Sequence, residues 1–319
     1  MIHKFLLGMI MMLAGHVPTW SLCAPLALPR AGYAAGVVNG KWIVAGGSYW
    51  TLEGKQRTGA TDGFDPQCSC WVGLPAMPLP LSDAASVVVG NTLYVLGGSD
   101  MAGTSREVYA FDGGRWAHRL DMQLPETRTN GAAVTDGRLI YVVGGLMQTG
   151  NYSSGLRSVW VIDPGDTRLS WRRLADFPFD PRISFGAAML QGKMYIFGGY
   201  RAVGVEHRNL SDICSYDPTT DEWSRAGTLQ KGRRALWAVT DSEQIYLFGG
   251  YTDTFSADIL VYRAGTVRKD GMLPEAVADA KFAAMGCRWY MTGGETGIRI
   301  RGKHTWAGTL PEPCNKEKS

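Results

Sequence analysis

The stretch Gly293-Gly294-Glu295-Thr296-Gly297-Ile298-Arg299-Ile300-Arg301 sets one carboxylate four and six positions ahead of two guanidiniums. Read as an extended segment, positions 295, 299 and 301 share a face by the two-residue period of a strand, which brings acid and cations together. A carboxylate held that way can move a proton as general base or acid. It can equally be half of a structural ion pair, and both readings stand. Further cations precede short apolar runs: Arg30, Arg128, Arg182, Arg233 with Arg234, and Lys281, while Asp83 precedes another. Guanidiniums converging on one opening suit an anionic, oxygen-rich ligand, because each offers paired hydrogen bonds to a carboxylate. The competing reading lays each Arg stem on a neighbour and its head on loop carbonyls. Trp50, Tyr200 and Tyr251 add flat faces able to wall a sugar ring.

Residues so far apart meet only if a scaffold returns the chain to one place at intervals. A Gly-Gly doublet after an apolar run occurs six times, at Gly46-Gly47, Gly97-Gly98, Gly144-Gly145, Gly198-Gly199, Gly249-Gly250 and Gly293-Gly294, in steps of 51, 47, 54, 51 and 44. Each doublet ends a hairpin: Ala34 to Val38, the turn Asn39-Gly40, then Trp42 to Ala45 in the first copy, and Gly186 to Leu190, Gln191-Gly192, then Met194 to Phe197 in the fourth. Nearly continuous apolar runs predict strands covered on both faces. A variable loop follows, then a third strand ending in an aromatic residue, an Asp-containing turn and a fourth strand with Trp. The pairs are Phe64 with Trp71, Phe111 with Trp116, and Tyr216 with Trp223; Trp171 follows Ile162-Asp163-Pro164 in the third copy. The fifth copy keeps Tyr262 without the Trp, and the sixth Trp306 without the aromatic.

This pattern resembles the kelch family across residues 28–309. The resemblance implies an all-β fold: a six-bladed kelch β-propeller with four antiparallel strands per blade around a central channel. The blades are expected at about 28–78, 79–125, 126–178, 179–229, 230–275 and 276–312, with the doublet loops and the segments entering the inner strands on one basic rim. The first copy begins with its innermost strand and the last ends with its outermost, so ring closure needs another tie. A disulfide from Cys314 to Cys68 or Cys70 is one candidate.

Gly294-Glu295 followed by Arg301 is also similar to the exported N-acetylneuraminate epimerases, or sialic-acid mutarotases, and their cyclically permuted relatives. Arg301 fits the family spacing, Arg299 only with a two-residue deletion. Asn39 to Trp50 with Lys55 and Arg57 resembles the first blade of the permuted branch. The resemblance implies interconversion of the anomers of an acidic sugar by acid-base ring opening. Glu295 would transfer the proton, and Arg299 or Arg301 with Arg233 would hold the carboxylate. Arg30, Arg128 and Arg182 would line the rim, Trp50, Tyr200 and Tyr251 would wall the sugar, and neither cofactor nor metal would be needed. The alternative is a noncatalytic propeller that binds a glycan or a protein partner on that rim.

Composition narrows the rest. Of 319 residues, 41 are Gly and 15 Pro, which opposes a helical bundle, and 32 basic against 29 acidic residues give only +3, which opposes nucleic acid as a partner. Five His include His3 and His16 near the N-terminus, with His118, His207 and His304 in unrelated registers, against copper; Cys68-Ser69-Cys70 lacks the second ligand pair that zinc wants. The apolar run Phe5 to Ala14 is too short to span a bilayer and reads as a signal peptide over 1–23, cut after Cys23 or, less simply, lipidated there. The expected product is one propeller over 24–319, periplasmic or secreted, with no stable membrane span.

Overall fold

A computed structural model describes residues 19–203 and 207–309. Five consecutive four-stranded antiparallel sheets follow the doublets, and a sixth completes the ring. The first comprises Ala34–Val38, Lys41–Ala45, Thr61–Asp65 and Cys70–Leu74. The fourth comprises Gly186–Leu190, Lys193–Phe197, Asp212–Asp217 and Glu222–Thr228. The innermost strands neighbour one another in ring order, and the first also meets the sixth.

Six apolar clusters fill the spaces between adjacent blades. Between blades three and four, for example, Tyr141, Val159 and Phe177 pack with Met194, Ile196 and Tyr216. Each large apolar side chain fully withdrawn from water there contributes about 1.5–3 kcal/mol. The Trp residues of the fourth strands tie blade to blade: Trp116 Nε1 donates to Pro75 O at 2.9 Å, Trp171 to Met122 O at 3.0 Å and Trp223 to Ala175 O at 3.1 Å. Blade five lacks that Trp, and the Tyr262 hydroxyl makes the corresponding bond to Ala226 O at 3.0 Å.

The glycine doublets have a physical reason. In every copy the second glycine donates its N–H to the next blade: Gly47 to Leu81 O, Gly98 to Arg128 O, Gly145 to Arg182 O, Gly199 to Arg233 O, Gly250 to Val277 O and Gly294 to Arg30 O, over 2.7–3.0 Å. Both glycines hold positive φ, and a Cβ on Gly198 or Gly249 would lie 2.3 or 2.4 Å from the next blade's carbonyl oxygen. Only glycine permits that approach.

Ring closure differs from the expectation. Trp20–Cys23 pairs antiparallel with Thr305–Thr309 and forms the outermost strand of blade six, outside Arg288–Thr292 and Lys281–Met285. Trp306 therefore sits on the third strand of its blade, not the fourth. The chain closes by contributing a strand from each end to one sheet, and a cut after Cys23 would remove the outer one. Cys68 and Cys70 are bonded to each other, so neither is open to Cys314, which lies outside the described residues. The apolar run Phe5 to Ala14 also lies outside them. Among the described residues no helix is long and apolar enough to cross a membrane.

Candidate functional site

A ring of six backbone positions sets the geometry of the channel. Gly32, Asp83, Asn130, Ser184, Ala235 and Asp279 all have φ between 50 and 63°. Their amides chain around the axis: Asp83 N–H donates to Gly32 O, Asn130 to Asp83, Ser184 to Asn130, Ala235 to Ser184 and Asp279 to Ala235, over 2.6–3.1 Å. Asp and Asn suit such positions because their short polar side chains can hydrogen-bond locally in the left-handed region. The residue just before each ring position pairs with the residue just after a doublet: Ala31 with Ser48, Ser82 with Ser99, Thr129 with Leu146, Ile183 with Tyr200, Arg234 with Tyr251 and Ala278 with Glu295. The doublet loops and the entries to the inner strands thus share one face, as the repeat register predicts.

On that face Glu295 and Arg301 form an ion pair, yet not through one extended strand. Glu295–Gly297 and Ile300–Arg301 make a two-stranded hairpin in which Glu295 stands directly opposite Arg301. Arg299 occupies the turn with φ 61°, exposed, its guanidinium 4.9 Å from the centre of the Trp50 ring. Trp50 stands on a second hairpin, Ser48–Thr51 with Gly54–Arg57. Arg301 joins the two hairpins by donating from Nε to Ser48 O at 3.2 Å, and it is 7% exposed, whereas the Glu295 side chain keeps 36%. Glu295, Arg299, Arg301 and Trp50 therefore make one open-sided group of acid, cations and aromatic wall.

Four expected rim residues are elsewhere. Arg30, Arg128, Arg182 and Arg233 are buried, at 0, 1, 2 and 6% exposure, and their guanidiniums are engaged inside the blades. Arg128, Arg182 and Arg233 each donate to the carbonyl of the doublet glycine 16 residues ahead, namely Gly144, Gly198 and Gly249. Arg30 donates to Val44 O instead. Carboxylates neutralise all four: Asp62 at 2.6 Å from Arg30, Glu126 at 2.8 Å from Arg128, and Asp212 and Asp258 at 2.7 Å from Arg182 and Arg233. Burial works against the charge on Asp258, but hydrogen bonds from Lys269 and Arg233 outweigh it and hold its pKa near 2. These four cations fasten inner-strand entries to their own blades, and the expected basic rim is correspondingly weaker. Leu81 and Val277 occupy the same register in blades two and six.

Tyr200 and Tyr251 do face the rim, and the guanidinium of Arg234 lies between them. Its guanidinium is 4.6 Å from the Tyr200 ring centre and 4.4 Å from that of Tyr251, and it donates to Asn209 Oδ1 at 2.7 Å. This stack belongs to blades four and five, apart from the Glu295 group on blade six.

The channel itself holds Asp279, which the motif reading did not single out, beside Asp83 and Lys281, which it did. A cavity of about 70 Å³ is lined by Asp83, Asn130, Ser184, Trp237, Asp279 and Lys281 among others. Lys281 Nζ lies 3.8 Å from Asp279 Oδ1 and 4.1 Å from the Trp237 ring centre. Asp279 shows 30% of its side chain and lines this cavity. Burial raises its pKa; Lys281 opposes the rise, while Asp83 and Glu295 add to it. Burial likewise lowers the pKa of Lys281 against the pull of Asp279 and Asp83. A carboxyl and an ammonium pushed towards each other in proton affinity are a frequent feature of acid-base sites. The signal was in the sequence: each ring residue stands 14 positions before the first glycine of its doublet, from Gly32 and Gly46 to Asp279 and Gly293. Among the described residues no group of three or more His, Cys, Asp or Glu gathers as a metal site would require.

Comparison with known proteins places these features in a family. Residues 83–294 match the model of the KLHDC2/KLHL20/DRC7 Kelch-repeats domain. Similar curated proteins include Kelch-like protein 35 of Mus musculus, 28% identical over 72% of this chain and 37% of its own length. Kelch-like protein 15 of Danio rerio is 25% identical over 82% of this chain and 45% of its own. The chain thus spans less than half the length of these relatives. The solved structure of YjhT superposes with a TM-score of 0.67 at 18% identity, covering 78% of this chain and 86% of that one, a likeness of fold. The matched region, the six doublets and the closed ring of four-stranded blades together assign this chain to the kelch-repeat family.

Proposed function

We propose that this kelch propeller is an exported mutarotase that interconverts the anomers of an acidic sugar such as N-acetylneuraminate at the channel mouth. The observation that carries the reading is the Glu295–Arg301 pair, at the spacing of the mutarotase resemblance and beside the channel acid Asp279. Glu295 takes the proton of the anomeric hydroxyl. Arg301 and Arg299 hold the sugar carboxylate, since a guanidinium already sharing one carboxylate can offer remaining N–H groups to a second. Trp50 walls the ring. Arg30, Arg128, Arg182 and Arg233 take no part. Export is supported by the apolar run Phe5 to Ala14, with processing ahead of Trp20 so that the closing strand is kept.

The test is a proton NMR time course of a freshly dissolved single anomer of N-acetylneuraminate. Added protein is expected to shorten equilibration, and Glu295→Gln to remove the gain, at least about 100-fold for a lost general base. Equal rates with and without the wild-type protein would end the catalytic reading. A second reading, a noncatalytic propeller that takes a protein or glycan on the same face, is favoured by the kelch-like relatives and by the aromatic stack of Tyr200, Arg234 and Tyr251.

A further inference from the structure

We infer that Asp279 is a second catalytic residue, the proton donor that works against Glu295, an inference resting on the mutarotase reading. The backbone brings the two acids together. Ala278 N–H donates to Glu295 O at 2.9 Å and Glu295 N–H to Ala278 O at 2.7 Å, so Asp279 follows directly on the residue that pairs with Glu295. The left-handed conformation of Asp279, φ 54°, and its amide bond to Ala235 O place it on the ring that bounds the channel, whose cavity it lines.

Asp279 and Lys281 line a channel cavity of about 70 Å³. In the proposed complex the sugar rests on the Glu295 and Trp50 hairpins and presents its ring oxygen to Asp279. Glu295 and Asp279 are then two carboxyl groups in different surroundings, one paired with Arg301, the other within electrostatic reach of Lys281, Asp83, Glu295 and Arg301.

The step balances without a co-reactant. Glu295 removes the anomeric hydroxyl proton while Asp279 gives its proton to the ring oxygen. The bond from the anomeric carbon to that oxygen breaks, its electron pair goes to the ring oxygen, and the anomeric carbon becomes a carbonyl. After rotation of the open chain, the ring hydroxyl attacks the other carbonyl face and returns a proton to Asp279, while Glu295 re-protonates the carbonyl oxygen. Both acids end as they began.

The experiment compares wild type, Glu295→Gln and Asp279→Asn in the same NMR assay across pH 5 to 8, with calorimetric titration of N-acetylneuraminate. Asparagine fits the site, since Asn130 holds the equivalent ring position at φ 56°. Asp279→Asn is expected to bind the sugar as wild type does and to lose about 100-fold or more in rate. A donor must be protonated, so the wild-type rate falls as pH rises through the raised pKa of Asp279, and that alkaline limb disappears in the variant. An Asp279→Asn protein with wild-type rate and pH profile overturns the inference and leaves the mutarotase reading intact. Loss of sugar binding together with rate makes Asp279 a binding group and also overturns it. A wild-type protein without activity overturns both.

Discussion

At Arg182 the guanidinium lies 2.7 Å from Asp212 Oδ2 and 2.9 Å from Gly198 O, and stacks 4.7 Å above the Phe177 ring. Such a group is a fastener. Replacing it removes one partner of a buried pair and leaves the other charge uncompensated, the costly direction for any buried ion pair. Arg182→Met is expected to lower unfolding free energy by about 3 kcal/mol in urea titration, with binding of the acidic sugar unchanged. Unaltered stability with lost binding would return Arg182 to the rim. From sequence alone this residue type reads equally well as ligand contact or fastener, because Arg suits both roles and only the partner decides. The partners, Asp62, Asp212 and Asp258, stand 25 to 32 residues away at the starts of third strands, an offset that varies with loop length. Glu295 and Arg301 were legible as a pair because only a tight hairpin separates them.

Doublets, hairpins and aromatic–Trp pairs were readable at the level of elements because each rests on local chemistry. Turn residues fix the hairpins, and Phe64–Trp71, Phe111–Trp116 and Tyr216–Trp223 pack with tilted rings at centroid distances of 5.2, 4.8 and 5.0 Å. The channel ring was less visible: its side chains vary from Gly to Asp, and what is constant is a backbone angle. Two glycines separate backbone angle from close contact. Gly249 has φ 59° and a Cβ there would lie 2.4 Å from Val277 O, whereas at Gly192, φ 77°, a Cβ would meet nothing within 4 Å. Gly192→Ala is expected to cost about 1–2 kcal/mol, the left-handed penalty alone. Gly249→Ala adds a clash with the neighbouring blade and should cost more in the same urea titration. Equal costs would mean that the doublet recurs in this chain for its dihedral angle only, with no part in the blade junction.

Closure of the ring belongs to the molecule as a whole, and no repeat unit contains its signal. Trp20–Cys23 lacks the doublet, the turn and the aromatic pair, and so reads as part of an N-terminal address. Its place follows from long-range packing: the Trp20 indole donates to Met272 O of blade five at 3.2 Å and lies against Gly308, where a Cβ would come within 2.8 Å of the ring. On the other side of the junction Trp71 of blade one donates to Ala24 O at 3.0 Å. Removing the strand bares the Thr305–Thr309 edge, and an open edge invites pairing with other chains. The lost burial of one large aromatic and a short ladder amounts to on the order of 3 kcal/mol. For a chain of this size that lowers Tm by about 5–10 °C. A chain beginning at Ala24 is therefore expected to melt earlier than one beginning at Thr19, to exchange amide hydrogens faster in Arg288–Thr292 and Thr305–Thr309 than in blade three, and to associate as its concentration rises. Identical melting and exchange for the two chains would show that the ring holds without its N-terminal strand, and processing after Cys23 would then be compatible with the fold.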